Sequence, residues 1–248
     1  MLSKNQIKEI QSLHQRKQRE MQQRFIAEGA KTVSEIVLQK SSLIDTVFAT
    51  AEYLDQQADL FQKSAITIQE ITEEELRKIS LQTTPNQVLA VCHYLAETLP
   101  PVTGQTAFYL DNIRDPGNLG TIIRLSDWFG MRDLYCSPST CDLYNPKVIQ
   151  ACMGAFLRVS IHYTDIKALQ SSYPKIYGAV LEGDNLYKTS LAKGLIVIGN
   201  EANGISLETA SFLTHKLHIP AARDSEAESL NAAIAAAVLA SEFFRQLS

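Results

Sequence analysis

Polar residues that packing alone does not require are concentrated in three loops of the second half of the chain. These loops lie within residues 110–130, 195–206 and 217–246. Their candidate functional side chains are Asn118, Arg124, Glu201, Ser229 and Asn231. Amide, carboxylate, hydroxyl and guanidinium groups in one pocket can orient a substrate and stabilise developing charge.

The first loop contains a turn signal, DPGN at residues 115–118, and then Gly120 at the start of an amphipathic pattern. A turn that leads into a helix presents free backbone N–H groups, which suit an anion such as a phosphate. Arg124 follows one helical turn after Gly120, on a face that can look back toward the loop. An ordinary turn followed by a surface arginine explains this segment equally well.

The second and third loops each follow an apolar segment. Gly199 permits a close backbone approach to a ligand, and Glu201 follows at the end of the strand. A hairpin-like turn at Asn203-Gly204 is the plainer interpretation, although it leaves the glutamate unexplained. In the third loop, Asn231 stands at the entrance of an apolar helix, where it can also serve only as a cap.

Apolar strands alternate with helices around these loops. We predict strands at 107–110, 133–136, 157–161, 175–180, 195–199 and 216–219, and helices at 120–129, 147–153, 207–213 and 229–246. This alternation predicts a mainly parallel sheet covered by helices on both faces. Ligands of such sheets bind in the loops at the carboxyl ends of the strands, which is where the candidate residues fall.

The front of the chain has a different character. Residues 1–31 contain seven basic and three acidic residues, and residues 4–26 are predicted to form one amphipathic helix. Such a helix is either a solvated surface or a surface for RNA phosphates. Helices at 31–39 and 73–79, the latter with a capping box, and strands at 46–50 and 87–93 indicate a small α/β domain. The segment 98–105 is the predicted boundary between domains 1–100 and 106–248.

Composition excludes several classes of protein. The chain has 248 residues, 45% of them hydrophobic, and a net charge of −4, which is typical of a globular protein. No apolar run is long enough to cross a bilayer and the first residues are too polar for a secretory signal, so we expect a cytoplasmic protein without a membrane. The four cysteines form no C-x-x-C pair, so we expect buried thiols and no metal.

Taken together, the three loops resemble the signature of the SpoU (TrmH-like) RNA 2′-O-ribose methyltransferases of the SPOUT superfamily. Asn118, Gly120 and Arg124 match the first motif, and the second, G-x-E-x-x-G, is matched by Gly199, Glu201 and Gly204. The third motif is matched by Ile219-Pro220 and by Ser229-Leu230-Asn231. FIAEGAK at residues 25–31 looks more loosely like the RNA substrate-binding domain often attached to these enzymes.

The resemblance implies a SPOUT-type α/β trefoil knot after a small α/β RNA-binding domain. It also implies a homodimer and S-adenosyl-L-methionine as cofactor, bound by Gly199, Ile219, Leu230 and Asn231. The implied catalytic residues are Asn118, Arg124, Glu201, Ser229 and Asn231, acting on a ribose 2′-hydroxyl of rRNA or tRNA. Ala202 and the segment 221–223 depart from the usual motifs and put the shape of the cofactor loop in question.

Two other functions remain open on the sequence. The first is a catalytically silent RNA-binding or ribosome-assembly factor with the same fold, which would not bind S-adenosylmethionine. The second is a nucleotide-dependent enzyme that uses GNLGTIIR as a phosphate loop, which is disfavoured because the Gly-Lys-Ser/Thr ending of a P-loop is absent.

Overall fold

A computed structural model of the chain describes residues 1–62, 66–96 and 104–248. Contacts among the described residues divide the chain into two compact units. The first unit holds the described residues before 97 together with residues 142–157, and the second holds residues 104–141 and 158–248. The predicted boundary at 98–105 lies almost entirely outside the described residues, so the domain limits 1–100 and 106–248 stay a prediction.

The first unit is built on a four-stranded sheet. Its strands are β1 (Arg24–Glu28), β2 (Ile44–Ala49), β3 (Ile68–Glu70) and β4 (Val88–His93), in the order β1-β4-β2-β3. β4 pairs antiparallel with β1 and β2, whereas β2 pairs parallel with β3. The helices of this part of the chain are α1 (Lys4–Ser12), α2 (Arg16–Gln22), α3 (Ala30–Lys40), α4 (Ala51–Gln56), α5 (Ala58–Gln62) and α6 (Glu73–Ile79).

The prediction of one helix over residues 4–26 is wrong. The chain forms α1 and α2 and then enters β1, which contains the buried Phe25. Gln23 ends α2 in the left-handed conformation, with φ of 52°, which closes a helix and redirects the chain. Part of the predicted apolar face is nevertheless present, because Ile10 and Leu13 are buried in the core of this unit, whereas Met21 is exposed.

The predicted capping box of α6 is confirmed. The backbone N–H of Glu75 donates to the hydroxyl of Thr72 at 3.2 Å, and the Glu75 carboxylate accepts from the Thr72 N–H at 3.0 Å. Two of the orphan N–H groups at the start of the helix are thereby satisfied. α3 and β4 also lie within one residue of their predicted bounds.

The second unit contains a six-stranded sheet in which every pair is parallel. Its strands are β5 (Ala107–Leu110), β6 (Asp133–Cys136), β7 (Ser160–Tyr163), β8 (Ile176–Asn185), β9 (Leu195–Ile198) and β10 (His215–His218). The strand order is β10-β8-β9-β5-β6-β7. The predicted α/β class with a mainly parallel sheet is therefore confirmed. The central strands β5 and β9 are buried along their whole length, as their unbroken apolar sequences predict.

The elements of the second half of the chain differ from their predicted bounds at their ends. The helix predicted at 207–213 begins at residue 207 but ends at residue 210, and the strand predicted at 175–180 continues to residue 185. The helices are α7 (Pro116–Trp128), α8 (Pro146–Cys152), α9 (Leu207–Ala210) and α10 (Ala232–Leu247). α7 starts before Gly120 because the Asp115 carboxylate caps it, accepting from the Asn118 N–H at 2.8 Å. α10 starts after Ser229, at Ala232. The strand predicted at 157–161 lies at Ser160–Tyr163, after a short 3-10 helix at Ala155–Leu157.

Residues 142–157, which the sequence places between β6 and β7, pack with the first unit. The buried Arg19 donates to the Asp142 carboxylate at 2.6 Å and to two backbone carbonyls of residues 13 and 14 at 2.9 Å. The Tyr144 ring lies 4.9 Å from Phe25 and stacks on Tyr94 at 3.7 Å. These contacts explain why a segment predicted for the second domain belongs to the first compact unit.

None of the helices in the described ranges has both the length and the apolar character that crossing a bilayer requires.

Candidate active site

The candidate residues gather where β5 and β9 lie side by side. After β5 the chain continues through α7 to β6 on one side, whereas after β9 it continues through α9 to β10 on the other side. Adjacent strands whose connections leave in opposite directions define a topological switch point, where open parallel sheets bind their ligands. The first and second loops meet there.

The first loop is held in a fixed conformation at Asn112. This residue adopts the left-handed region, with φ of 60°, which asparagine tolerates better than most residues. Its N–H donates to the Ser137 hydroxyl at 2.9 Å, and its carbonyl accepts from the Asn200 side chain at 2.9 Å. The loop then enters α7 through the Asp115 cap, which places Asn118 in the first turn.

The second loop folds back on itself over Gly199. The N–H and C=O groups of Asn200 pair with those of Gly204 at 2.9 and 2.8 Å, and Gly204 has φ of 65°. A Cβ at Gly199 would lie 2.6 Å from the Gly204 oxygen and nearer still to the Gly204 carbon and the Ile205 nitrogen. Glycine is therefore required by the chain's own backbone, and the hairpin-like turn that the sequence left open is present. Glu201 projects from this turn and is exposed.

The third loop, residues 219–231, has no regular secondary structure and ends at α10. The Asn231 side-chain oxygen caps α10 by accepting from the backbone N–H groups of Ala233 at 2.9 Å and Ile234 at 3.3 Å. The side-chain nitrogen of Asn231 donates to the side-chain oxygen of Asn118 at 3.0 Å. Asn231 is thus both the helix cap that the sequence allowed and a contact between two of the loops.

One chain of hydrogen bonds links all three loops. The first N–H groups of α10 donate to Asn231, Asn231 donates to Asn118, and the amide nitrogen of Asn118 donates to the Glu201 carboxylate. Every donor points the same way, so each bond polarises the next, and the positive end of α10 faces a carboxylate at the far end. Both side-chain ends of Asn118 are fixed by this arrangement.

The remaining candidate residues make no such contact in the described part of the chain. Arg124 is exposed on α7, on the same face as Thr121 and Trp128. It lies six residues beyond Asn118, which places the two side chains about 120° apart around the helix. Ser229 is exposed in the third loop. The structure therefore brings Asn118, Glu201 and Asn231 together and leaves Arg124 and Ser229 facing solvent.

Two positioning residues were missed in the sequence. Asn200 accepts from the backbone N–H groups of residues 202 and 203 at 2.9 and 3.2 Å and also holds the first loop through Asn112. Asp111 is buried and accepts from the Ser206 N–H at 2.7 Å. Asp111 follows β5 directly and Asn200 lies just beyond β9, after Gly199, in segments where Asn and Asp commonly hydrogen-bond nearby backbone. That position was the available signal.

Three of the four cysteines are buried, as the sequence predicts. Cys92, Cys136 and Cys152 are buried, and Cys141 is half-buried. Burial raises the pKa of the Cys92 and Cys136 thiols, which disfavours the thiolate form that binds metals. Within the described residues there is no group of three metal-ligating side chains.

Comparison with known proteins identifies the family. Residues 105–241 match the SpoU rRNA Methylase family, and residues 4–90 match the MRM3-like substrate binding domain. The chain belongs to the SpoU rRNA methylase family. The resemblance inferred from the three loops is therefore confirmed.

Three relatives of this SpoU methylase are similar over nearly their whole length. The 23S rRNA (guanosine(2553)-2′-O)-methyltransferase RlmP of Bacillus subtilis is 28% identical, over 96% of this chain and 95% of its own. The structure of a putative TrmH-family RNA methyltransferase from Porphyromonas gingivalis is 37% identical, with a TM-score of 0.85 and 99% of each chain covered. An AdoMet-bound rRNA methyltransferase from Sinorhizobium meliloti is 26% identical, with a TM-score of 0.85, covering 100% of this chain and 97% of its own.

These relatives confirm the predicted class of enzyme, a methyltransferase whose family uses S-adenosylmethionine. The third loop has the donor set that such a cofactor needs. Residues 220–230 are exposed. The N–H groups of Ser225 and Ala227 are engaged locally, by the Ala222 carbonyl and the Ser225 hydroxyl, and the other backbone amides and carbonyls are open to an adenine ring and a methionyl group. Leu230, 47% exposed, adds an apolar surface. Backbone polar groups beside exposed apolar side chains are typical of nucleoside sites, so these residues fit the cofactor.

Proposed function

We propose that this SpoU methylase transfers a methyl group from S-adenosylmethionine to a ribose 2′-hydroxyl of large-subunit ribosomal RNA. The observation that carries the proposal is the hydrogen-bond chain through Asn231, Asn118 and Glu201, because it joins the three loops of the motif at the switch point of the sheet. The choice of ribosomal over transfer RNA rests on the named activity of the Bacillus subtilis relative. Residues 1–100 act as the RNA-binding domain.

Arg124 is the group we assign to the acceptor nucleotide. Arginine side chains keep their positive charge in proteins, so Arg124 serves as an electrostatic clamp on the phosphate and the developing alkoxide. Asn118, fixed at both ends, orients the ribose. Glu201 fixes Asn118, and Ser229 hydrogen-bonds within the site when the third loop closes.

The cofactor supplies an electrophilic methyl group when bound. Gly199, Ile219, Leu230 and Asn231 are the residues that would hold it, through backbone groups and the apolar surface of the third loop. Arg124 and Asn118 would orient the ribose hydroxyl toward the cofactor site, and the hydroxyl proton would pass to solvent water. Positioning of this kind accounts for most of the rate.

We further propose a homodimer and a trefoil knot. α7 and α10 pack together, with Phe129 and Phe244 rings 5.7 Å apart, and they leave Trp128 82% exposed and Phe244 52% exposed. A second copy on this surface would cover the aromatic side chains and complete the site beside Arg124. The third loop supports the knot, because it leaves the edge strand β10 and returns across β8 and β9 to reach Asn118.

The test is methyl transfer from labelled S-adenosylmethionine to an unmodified large-subunit rRNA transcript. Replacing Arg124 with alanine should lower turnover by about 100-fold or more, as loss of a group that stabilises developing charge does, while cofactor affinity changes by only a few-fold. Arg132→Ala, an exposed arginine paired with Asp127 at 3.2 Å, is the matched control. Near-normal turnover of Arg124→Ala would remove this residue from the mechanism.

The Arg124→Lys variant distinguishes two roles for this side chain, an electrostatic clamp and a general base. Lysine keeps the charge but loses its proton at lower pH than arginine does. Weak activity that does not change with pH supports the clamp, whereas recovery at alkaline pH would assign a general base. Ribose mapping of rRNA from cells that lack the protein then names the nucleotide.

A further inference from the structure

The first unit contains an open cleft of about 550 Å³ whose lining includes none of the candidate active-site residues. Three separate segments of the chain form it. They are residues 28–32 at the start of α3, residues 82–87 before β4, and Gln150 and Met153 at the end of α8. The third wall comes from the segment between β6 and β7, outside the stretch that matches a substrate-binding domain.

The chemistry of the lining is dominated by uncharged amides. Gln82, Asn86, Gln87 and Gln150 contribute carboxamide side chains, and Lys31 contributes one positive charge. The side-chain nitrogen of Asn86 donates to the side-chain oxygen of Gln82 at 3.1 Å, so each of these two amides has one group engaged. The carboxylate of Glu28 is engaged elsewhere, since it accepts from the Leu81 N–H at 3.0 Å and from the Ser80 hydroxyl. The side chains of Lys31, Gln87 and Gln150 make no hydrogen bond or ion pair with any other residue in the described ranges.

The backbone of the cleft is fixed in an unusual shape. Gln87 and Met153, on different walls, both adopt the left-handed region, with φ of 49° and 47°. This conformation costs a residue with a side chain about 1 to 2 kcal/mol. At Met153 this conformation closes α8 as its C-cap, and the side chain, 38% exposed, lines the cleft.

Uncharged amides select a particular kind of ligand. A carboxamide both donates and accepts, so it pairs with the edge of a nucleobase, as glutamine and asparagine do with adenine. Base edges are accessible mainly in unpaired RNA, whose loops and ends are the usual targets of sequence-specific proteins. A surface that followed only phosphates would need several clustered cations, and this cleft has one.

We propose that this cleft binds unpaired nucleotides of the RNA substrate, with the carboxamides on base edges, Lys31 on a phosphate, and Gln150 as the contribution of the 142–157 segment. This assignment rests on the proposed function, since it presumes an RNA substrate. Under this proposal, part of the substrate recognition comes from the 142–157 segment, which lies within the methyltransferase half of the sequence.

The test measures binding of the full chain to a short single-stranded RNA pool of random sequence and to duplex RNA of equal length. Lys31→Ala should weaken binding to the single strands about five-fold and lower the slope of log affinity against log salt by about 0.7. Gln150→Ala should weaken binding about five-fold, the effect of one hydrogen bond, without changing the slope. Lys40→Ala and Gln56→Ala, exposed residues of α3 and α4 outside the cleft, should bind as wild type.

Ultraviolet crosslinking of the same pool should label peptides that contain Gln87 or Met153. Tighter binding to the duplex, or wild-type binding by both cleft variants, would overturn the cleft proposal. Methyl transfer to the rRNA transcript by the wild-type enzyme tests the proposed function separately. Normal transfer with unaffected cleft variants would refute this site alone, whereas no transfer to any RNA would refute the proposed function.

Discussion

Replacing Gly199 with alanine should open the second loop of the site, and Gly204→Ala should not. Both glycines belong to the same turn, but they are glycine for different reasons. Gly199 lies outside the left-handed region and has no room for a side chain, whereas Gly204 has open space around it and a left-handed φ of 65°. The two variants therefore separate steric exclusion from backbone conformation.

The magnitudes follow from these surroundings. A Cβ at position 199 would approach the Gly204 oxygen to 2.6 Å, against an ordinary contact of about 3.5 Å, and that oxygen belongs to backbone that cannot rotate away. Relief requires breaking the two hydrogen bonds between Asn200 and Gly204, at about 1 kcal/mol each, with about 1 to 3 kcal/mol of strain in addition. Gly204→Ala costs about 1 to 2 kcal/mol for the left-handed alanine and keeps both bonds.

Hydrogen exchange at the amides of Asn200 and residue 204 measures this directly, because those two N–H groups close the turn. A difference of about 2 kcal/mol between the variants corresponds to about 30-fold faster exchange in Gly199→Ala. Calorimetry with S-adenosylmethionine should show a matching loss of affinity, since the Gly199 backbone that we assign to the cofactor moves with the turn. Equal exchange rates in the two variants would refute the steric account.

Three further predictions concern other parts of the chain. Asn231→Ala should lower the melting temperature through loss of the α10 cap, about 1 kcal/mol, whereas Asn231→Ser should keep the cap yet still lose methyl transfer. Hydrogen bonds from Arg245, and to a lesser extent from Gln246, lower the pKa of Glu242 to about 2. The ionised Glu242 should therefore stabilise the fold fully above about pH 4.3, and this stabilisation should disappear as the pH falls toward 2. In acid unfolding, the stability of a Glu242→Gln variant should converge with that of the wild type near about pH 2. Asp142→Asn leaves the buried Arg19 charge without its partner and should destabilise the first unit by about 3 kcal/mol in urea unfolding; a loss below about 1 kcal/mol would show that the pair is solvated.

Sequence patterns predicted the second unit well because its elements have one dominant signal each. β5 and β9 are short apolar runs, and α7 and α10 carry regular apolar faces, so their positions were found within a few residues. The errors lie at element ends, where a single side chain decides. Because Asp115 caps α7, that helix starts earlier in the sequence than predicted, and because Asn231 caps α10, that helix starts later.

The first unit was harder to predict because its segments are short and their periods overlap. Residues 24–26 continue a helical spacing, yet they pair with β4 as an edge strand, and only tertiary pairing decides between the two. The weak β3 and the helices α4 and α5 had no strong pattern. The docking of residues 142–157 depends on a buried ion pair between residues 123 apart in sequence, which no local window contains.

Topology explains why three loops that are distant in sequence form one candidate site. β5 and β9 are neighbours, so the first two loops meet without any special connection. β10 lies at the sheet edge, beyond β8, so its loop must cross two strands before α10 can begin beside α7. A long and mostly exposed third loop is the consequence, and Asn231 fixes its end by capping α10 and bonding Asn118. Because lengthening a loop costs little free energy, the chain can leave residues 220–230 available to a ligand and still return to the switch point.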